Sequence, residues 1–141
     1  LTGHCHCGNI EIRFGTALAP ADLPLHACQC SFCRAHGAVT VADPAGRLGI
    51  SVHQPELLQR YRFALQVTEF LICRRCGVYA AAVAEIDGKR YAAINACSLE
   101  CHAQLTATAE PMNYAEETAV QRRARRQARW TPVDDIVGVF F

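Results

Sequence analysis

The 141-residue sequence has a single lysine, Lys89, among its fourteen basic residues, and only one tryptophan and one methionine. No apolar run approaches the roughly 18 residues that a membrane-crossing helix needs, which excludes a helical anchor within these residues. There is no glycine-rich phosphate loop, no nucleophile elbow and no carboxylate pair spaced for acid-base work. Nucleotide, serine-hydrolase and glycosidase chemistries therefore lack their usual signatures. The net charge is +1, so no global electrostatic argument points to nucleic acid or an acidic membrane. What is present is a hydrophobic content of 51% with 19% charged residues, the balance of a folded globule. The length predicts one domain over residues 1–141 with a real core.

Nine cysteines stand out, and seven of them fall in three tight groups: Cys5 with Cys7, Cys28 with Cys30 and Cys33, and Cys73 with Cys76. An odd count gathered this closely is unlike a disulfide framework, because C-x-C and C-x-x-C loops close easily around a metal ion and poorly around a disulfide. Metal binding implies thiols kept reduced, so a cytoplasmic location is expected.

Hydrophobic periodicity predicts a mainly β chain up to about residue 108. NIEIRF, residues 9–14, alternates like a half-buried strand leaving the first cysteine group. LHACQC, residues 25–30, reads as a strand running into the turn SFCRAHG, residues 31–37. Strands are predicted over 38–46 and 48–52, while 56–63 is open between helix and strand. TEFLIC leads into the knuckle CRRCG, and residues 78–86 and 89–96 form a hairpin across Asp87 and Gly88. The tail differs: residues 114–130, YAEETAVQRRARRQARW, predict a basic C-terminal helix with acids first and arginines last. On it Val120, Ala124 and Ala128 share one face, and Arg122, Arg125, Arg126 and Arg129 the opposite one.

The spacing of Cys73 and Cys76 before Gly77 is that of a zinc knuckle, and Cys5 and Cys7, two apart on extended backbone, can aim at one ion. Two plus two thiolates make a closed tetrahedron of structural type. Cys28, Cys30 and Cys33 supply three donors, which is the pattern of a catalytic zinc with an open position. His26, His36 or a remaining cysteine would make that site purely structural by filling the position. Cys97, Cys101 and His102 are either a further ligand set or ordinary buried side chains. His4 and His6 could replace a thiolate, His53 reads as surface, and Trp130 either caps the core or lines a pocket. Arg34, Arg74 and Arg75 lie in or beside the groups and can offset thiolate charge.

GHCHCGNIEIRF, CQCSFCRAHGA and CRRCG, in this order, resemble the glutathione-dependent formaldehyde-activating family, whose domain also occurs in centromere protein V. The resemblance spans residues 3 to about 105. It implies a β-tent fold of short antiparallel sheets pinned by two zinc ions, a structural one on Cys5, Cys7, Cys73 and Cys76, and a catalytic or labile one on Cys28, Cys30 and Cys33. It also implies a carbon-sulfur lyase activity on a small thiol, joining formaldehyde to glutathione as S-hydroxymethylglutathione. The last third departs from the family pattern, with NACSLECHAQ and the arginine-rich helix in place of a cysteine-free stretch and an irregular segment. The alternative is a non-enzymatic module, both zincs structural, that contacts nucleic acid or a protein through Arg122, Arg125, Arg126 and Arg129.

Overall fold

A computed structural model of the chain describes residues 1–139. It contains strands β1 (Thr2–His4), β2 (Ile10–Gly15), β3 (Leu25–Cys28), β4 (Thr40–Val41), β5 (Arg47–Val52), β6 (Leu58–Tyr61), β7 (Glu69–Cys73), β8 (Tyr79–Ile86), β9 (Lys89–Asn95), β10 (Glu110–Met112) and β11 (Thr131–Val137). Two α-helices interrupt them, α1 (Ser31–His36) and α2 (Ala119–Arg129). The chain is mainly β with a basic helix near its C-terminal end.

Alternation decides the first strand: in β2 the residues Ile10, Ile12 and Phe14 are buried while Glu11 and Arg13 face out. Strands β1, β2 and β5 pair antiparallel in that order. A second run, β6-β7-β8-β9, is a continuous antiparallel meander. Its last strand also pairs with β4, which pairs with β3. β11 joins the two systems, pairing antiparallel with β9 at Thr131 and Pro132 and parallel with β5 from Val133 to Val137. The two sheets thus lean on a shared strand and enclose Ile12, Phe14, Leu48, Ile50, Leu71 and Ile94. β8 is buried on both faces, and its run of alanines lets neighbouring layers approach closely.

Several expectations change. Residues 31–37 hold a six-residue helix rather than a turn alone, because the Cys30 sulfur accepts from the Cys33 amide and caps it. The predicted strand over 38–46 shrinks to Thr40–Val41, and the ambiguous 56–63 becomes a short 3₁₀ turn followed by β6. The C-terminal helix spans 119–129, not 114–130. Thr118 and Gln121 form a reciprocal capping box that starts it late, and extended backbone at Trp130, feeding β11 through Pro132, ends it. Strands β10 and β11 were not predicted. β10 adds parallel to the edge of β3, setting Met112 opposite Cys28, and so delivers the chain to the cysteine-bearing end of that strand.

Candidate metal centre

The first and third cysteine groups meet although 66 residues separate Cys7 from Cys73. Each arrives on a matched turn. The Cys5 amide bonds Ile10 and the Gly8 amide returns to Cys5, while the Cys73 amide bonds Val78 and the Gly77 amide returns to Cys73. Gly8 and Gly77 both take left-handed backbone, φ 81° and 76°, which glycine adopts without steric cost and which lets each loop fold under its sulfurs. The four sulfurs of Cys5, Cys7, Cys73 and Cys76 lie within 4.8 Å of one another. Cys5 to Cys7 is 3.8 Å and Cys7 to Cys73 is 3.5 Å. A tetrahedron of thiolates about 2.3 Å from zinc has an edge of about 3.8 Å, so the donor set fits such an ion. Burial pushes the Cys5 thiol up to about 12 and Cys73 upward as well, a charge cost that a bound cation offsets. Neither His4 nor His6 joins the group. His4 faces Glu100 across a largely exposed surface, and His53 pairs with Glu11.

The second group is Cys28 at the end of β3, Cys30 at the cap of α1 and Cys33 inside that helix, with all three sulfurs within 4.8 Å. Among the described residues no histidine nitrogen, carboxylate or further cysteine joins them. His26 instead lines the neighbouring cavity, His36 packs against Phe32 with the rings tilted, and Cys97 is exposed. Cys101 packs against the main core. The bond with the Cys33 thiol draws Cys28 down to about 5, and that same bond together with burial holds Cys33 well above the ordinary thiol range. Three crowded sulfurs cannot all ionise alone; a divalent cation lets them do so.

These thiols open on a cavity of about 270 Å³. Phe63, Phe70 and Trp130 supply apolar walls, and α2 lies across it. Tyr79 stands at its floor, fully buried, with a hydroxyl that has no hydrogen-bond partner among the described residues. A β-bulge aims this ring. Leu71 pairs with Ala81 but Ile72 pairs with Tyr79, so Ala80 is the extra residue and Tyr79 joins Ala82 on the cavity side instead of following Ala81 into the main core. Phe32 packs edge-on against the ring with centroids 5.2 Å apart, and the Asn95 amide holds the Tyr79 carbonyl.

The arginine face of α2 is turned inward, unlike the outward face that contact with nucleic acid or a protein partner through it would need. Val120 on the opposite face is 77% exposed, whereas Arg122 and Arg125 are half-buried and Arg126 is buried. Of the four arginines proposed for nucleic acid only Arg129 is exposed. The inversion has a physical basis. Arg125 makes a two-pronged bond to Glu117 at 2.6 and 3.0 Å and lies 3.6 Å above the Tyr114 ring. Arg122 bonds the Tyr114 carbonyl, and Arg126 stacks 4.7 Å from the Trp130 ring. Trp130 lines the cavity rather than capping the main core. Arg74 and Arg75 bond the side chains of Gln59 and Gln54.

Fold and cysteine groups together define a mainly β protein with two thiol clusters suited to zinc, one closed and one facing a cavity. The chain belongs to the glutathione-dependent formaldehyde-activating enzyme family, which it matches over residues 1–116. It is also similar to the crystal structure of a Rhodobacter sphaeroides protein, at 30% identity over 71% of this chain and 88% of that one, with a TM-score of 0.52. Helix α2 and strand β11 lie beyond the family match.

Proposed function

We propose that this protein is a zinc-dependent carbon-sulfur lyase that makes or breaks the adduct of a small glutathione-like thiol with formaldehyde or a related aldehyde. The observation that carries the reading is the three-thiol group of Cys28, Cys30 and Cys33, which has no fourth donor among the described residues and opens on a small, partly apolar cavity. Cys5, Cys7, Cys73 and Cys76 would hold a structural ion, and the three-thiol group a catalytic or exchangeable one. Zinc at the second group would supply Lewis acidity, favouring an ionised thiol and a polarised carbonyl.

In the synthetic direction the thiol loses its proton and its sulfur bonds to the carbonyl carbon. The carbonyl π pair moves to oxygen, which takes up a proton; breakdown is the reverse, and neither direction needs an oxidant. Tyr79 would donate to that oxygen; its hydroxyl, buried without a partner among the described residues, supports this role. The walls of Phe63, Phe70 and Trp130 limit water around the reacting atoms and confine a ligand of small size. Thiols that must stay reduced suit a cytoplasmic setting.

The test follows exchange between glutathione, formaldehyde and S-hydroxymethylglutathione by NMR with zinc-loaded protein. Wild type should accelerate exchange over buffer. Cys30→Ser should stay folded, lose one of two zinc ions and lose the acceleration. Retention of both ions, or exchange at the wild-type rate, would overturn the assignment.

A further inference from the structure

The cavity wall is lopsided in charge: Arg122, Arg125, Arg126 and Arg129 line it, and among the described residues no aspartate or glutamate does. Just outside, Glu117 accounts for two of these, bonding Arg125 and lying 3.6 Å from Arg122. Arg123, the remaining arginine of the helix, pairs with Asp87 on the outer surface at 2.7 Å. Arg126 is different. It is 7% exposed, its Nε has no hydrogen-bond partner, and it forms no ion pair among the described residues. Trp130 covers its guanidinium on one side. Burial, with Arg125 and Arg122 beside it, lowers it only to about 10, so it remains cationic at neutral pH. A buried guanidinium without a counter-ion is costly, and the cost is removed when a ligand brings the anion.

We propose that Arg126 is the carboxylate anchor of a substrate subsite on α2, which selects thiols bearing a carboxylate group over neutral thiols. This rests on the functional reading above and adds to it the charge class of the substrate. The planar guanidinium matches a carboxylate with two parallel donors, and Arg126 lines the cavity beside the Trp130 ring. The three thiols then take the sulfur end while Arg126 takes the acid end. A competing role for Arg126 is to balance thiolate charge, and that role would be indifferent to the ligand's carboxylates.

S-methylglutathione separates the two, because its capped sulfur removes the thiolate that the cysteine site would recognise. Calorimetric titration of zinc-loaded wild type should show S-methylglutathione binding about tenfold or more tightly than its diethyl ester, with the difference shrinking as salt is raised. Arg126→Gln should bring the acid down to the level of the ester and leave the ester unchanged, and Arg126→Lys should fall between. Equal binding of acid and ester by wild type, absence of S-methylglutathione binding, or unchanged acid binding by a folded Arg126→Gln would each overturn the anchor. Equal binding of acid and ester by wild type overturns the anchor even where a variant fails to fold, and Arg126→Lys offers a second, more conservative variant. Formaldehyde exchange reads independently. A clear acid preference without exchange would keep the anchor and sink the proposed reaction; exchange with an unchanged KM for glutathione in Arg126→Gln would do the opposite.

Discussion

Tyr79 carries a buried hydroxyl without a partner among the described residues, packed among aromatic rings, alanines and the thiols of Cys28, Cys30 and Cys33. Such a group is destabilising in the free protein, since it has left water without gaining a protein hydrogen bond. Deleting it should therefore affect stability and activity with opposite signs. Tyr79→Phe is expected to melt at the same temperature as wild type or higher, while adduct exchange falls about tenfold or more through loss of one donor to the developing alkoxide. Calorimetric melting and NMR exchange on one sample check both. A lower melting temperature would mean that the hydroxyl has a structural partner, and unchanged exchange would remove Tyr79 from the reaction. The hairpin that carries Tyr79 was legible from alternation around Asp87 and Gly88, but the direction of the ring was not. Period two places Tyr79 beside Ala81, and only the bulge at Ala80, a consequence of how β7 and β8 close above the CRRCG turn, moves it to the cavity.

Helix α2 reaches the cavity through Glu117, which precedes its cap and holds Arg125 and Arg122 from outside the helix. The bond from Arg125 lowers the Glu117 carboxyl below its ordinary value. A carboxylate depressed in the folded state contributes stability that is complete above the unfolded pKa of about 4.3 and is lost as pH falls through the lower folded value. Docking of α2 should accordingly weaken in strongly acid solution, and Trp130, the single tryptophan and the residue that follows the helix, reports it by fluorescence. Glu117→Gln should already show part of that change at neutral pH and lose the acid step. An acid step of wild-type size in the variant would assign it to other groups. Sequence periodicity placed a basic helix here and sorted its faces correctly, yet it could not say which face turns inward. Hydropathy argues for burying Val120, and the reverse holds because the covered surface offers a carboxylate, two aromatic rings and thiols instead of an apolar floor. The seven clustered cysteines were the most legible part of the site, because short spacing within each group is itself a geometric statement. The open cavity was not, since part of its wall comes from α2 and from residues 113–115, and the latter are brought there by the pairing of β10 with β3, which no local pattern announces.

Over the whole molecule the two cysteine groups differ in what they tie together. Cys5 and Cys7 leave β1 for β2, whereas Cys73 and Cys76 lie at the turn from β7 to β8, so the four-cysteine group joins the sheet of β1, β2 and β5 to the meander that ends in β9. Cys5 and Cys73 are wholly buried there. The three-cysteine group joins only β3 to the adjoining α1 and faces the cavity. With zinc on each group, as proposed above, metal removal from the zinc-loaded protein should then proceed in two stages. As a chelator is titrated, the ion at Cys28, Cys30 and Cys33 should leave first with the far-ultraviolet dichroism unchanged. The second should leave with cooperative loss of β structure, since that ion's binding energy is folding energy. A Cys73→Ser variant should melt about 10 °C or more below wild type, the shift expected for a loss of several kcal/mol in a domain of this size, whereas Cys30→Ser should melt within a few degrees of it. Zinc release followed by a colorimetric indicator, recorded together with dichroism, resolves the order. If both ions left together with the β signal intact, neither would hold the two sheets in place, and the strand β11 that they share would have to supply that cohesion through its pairing with β5 and β9.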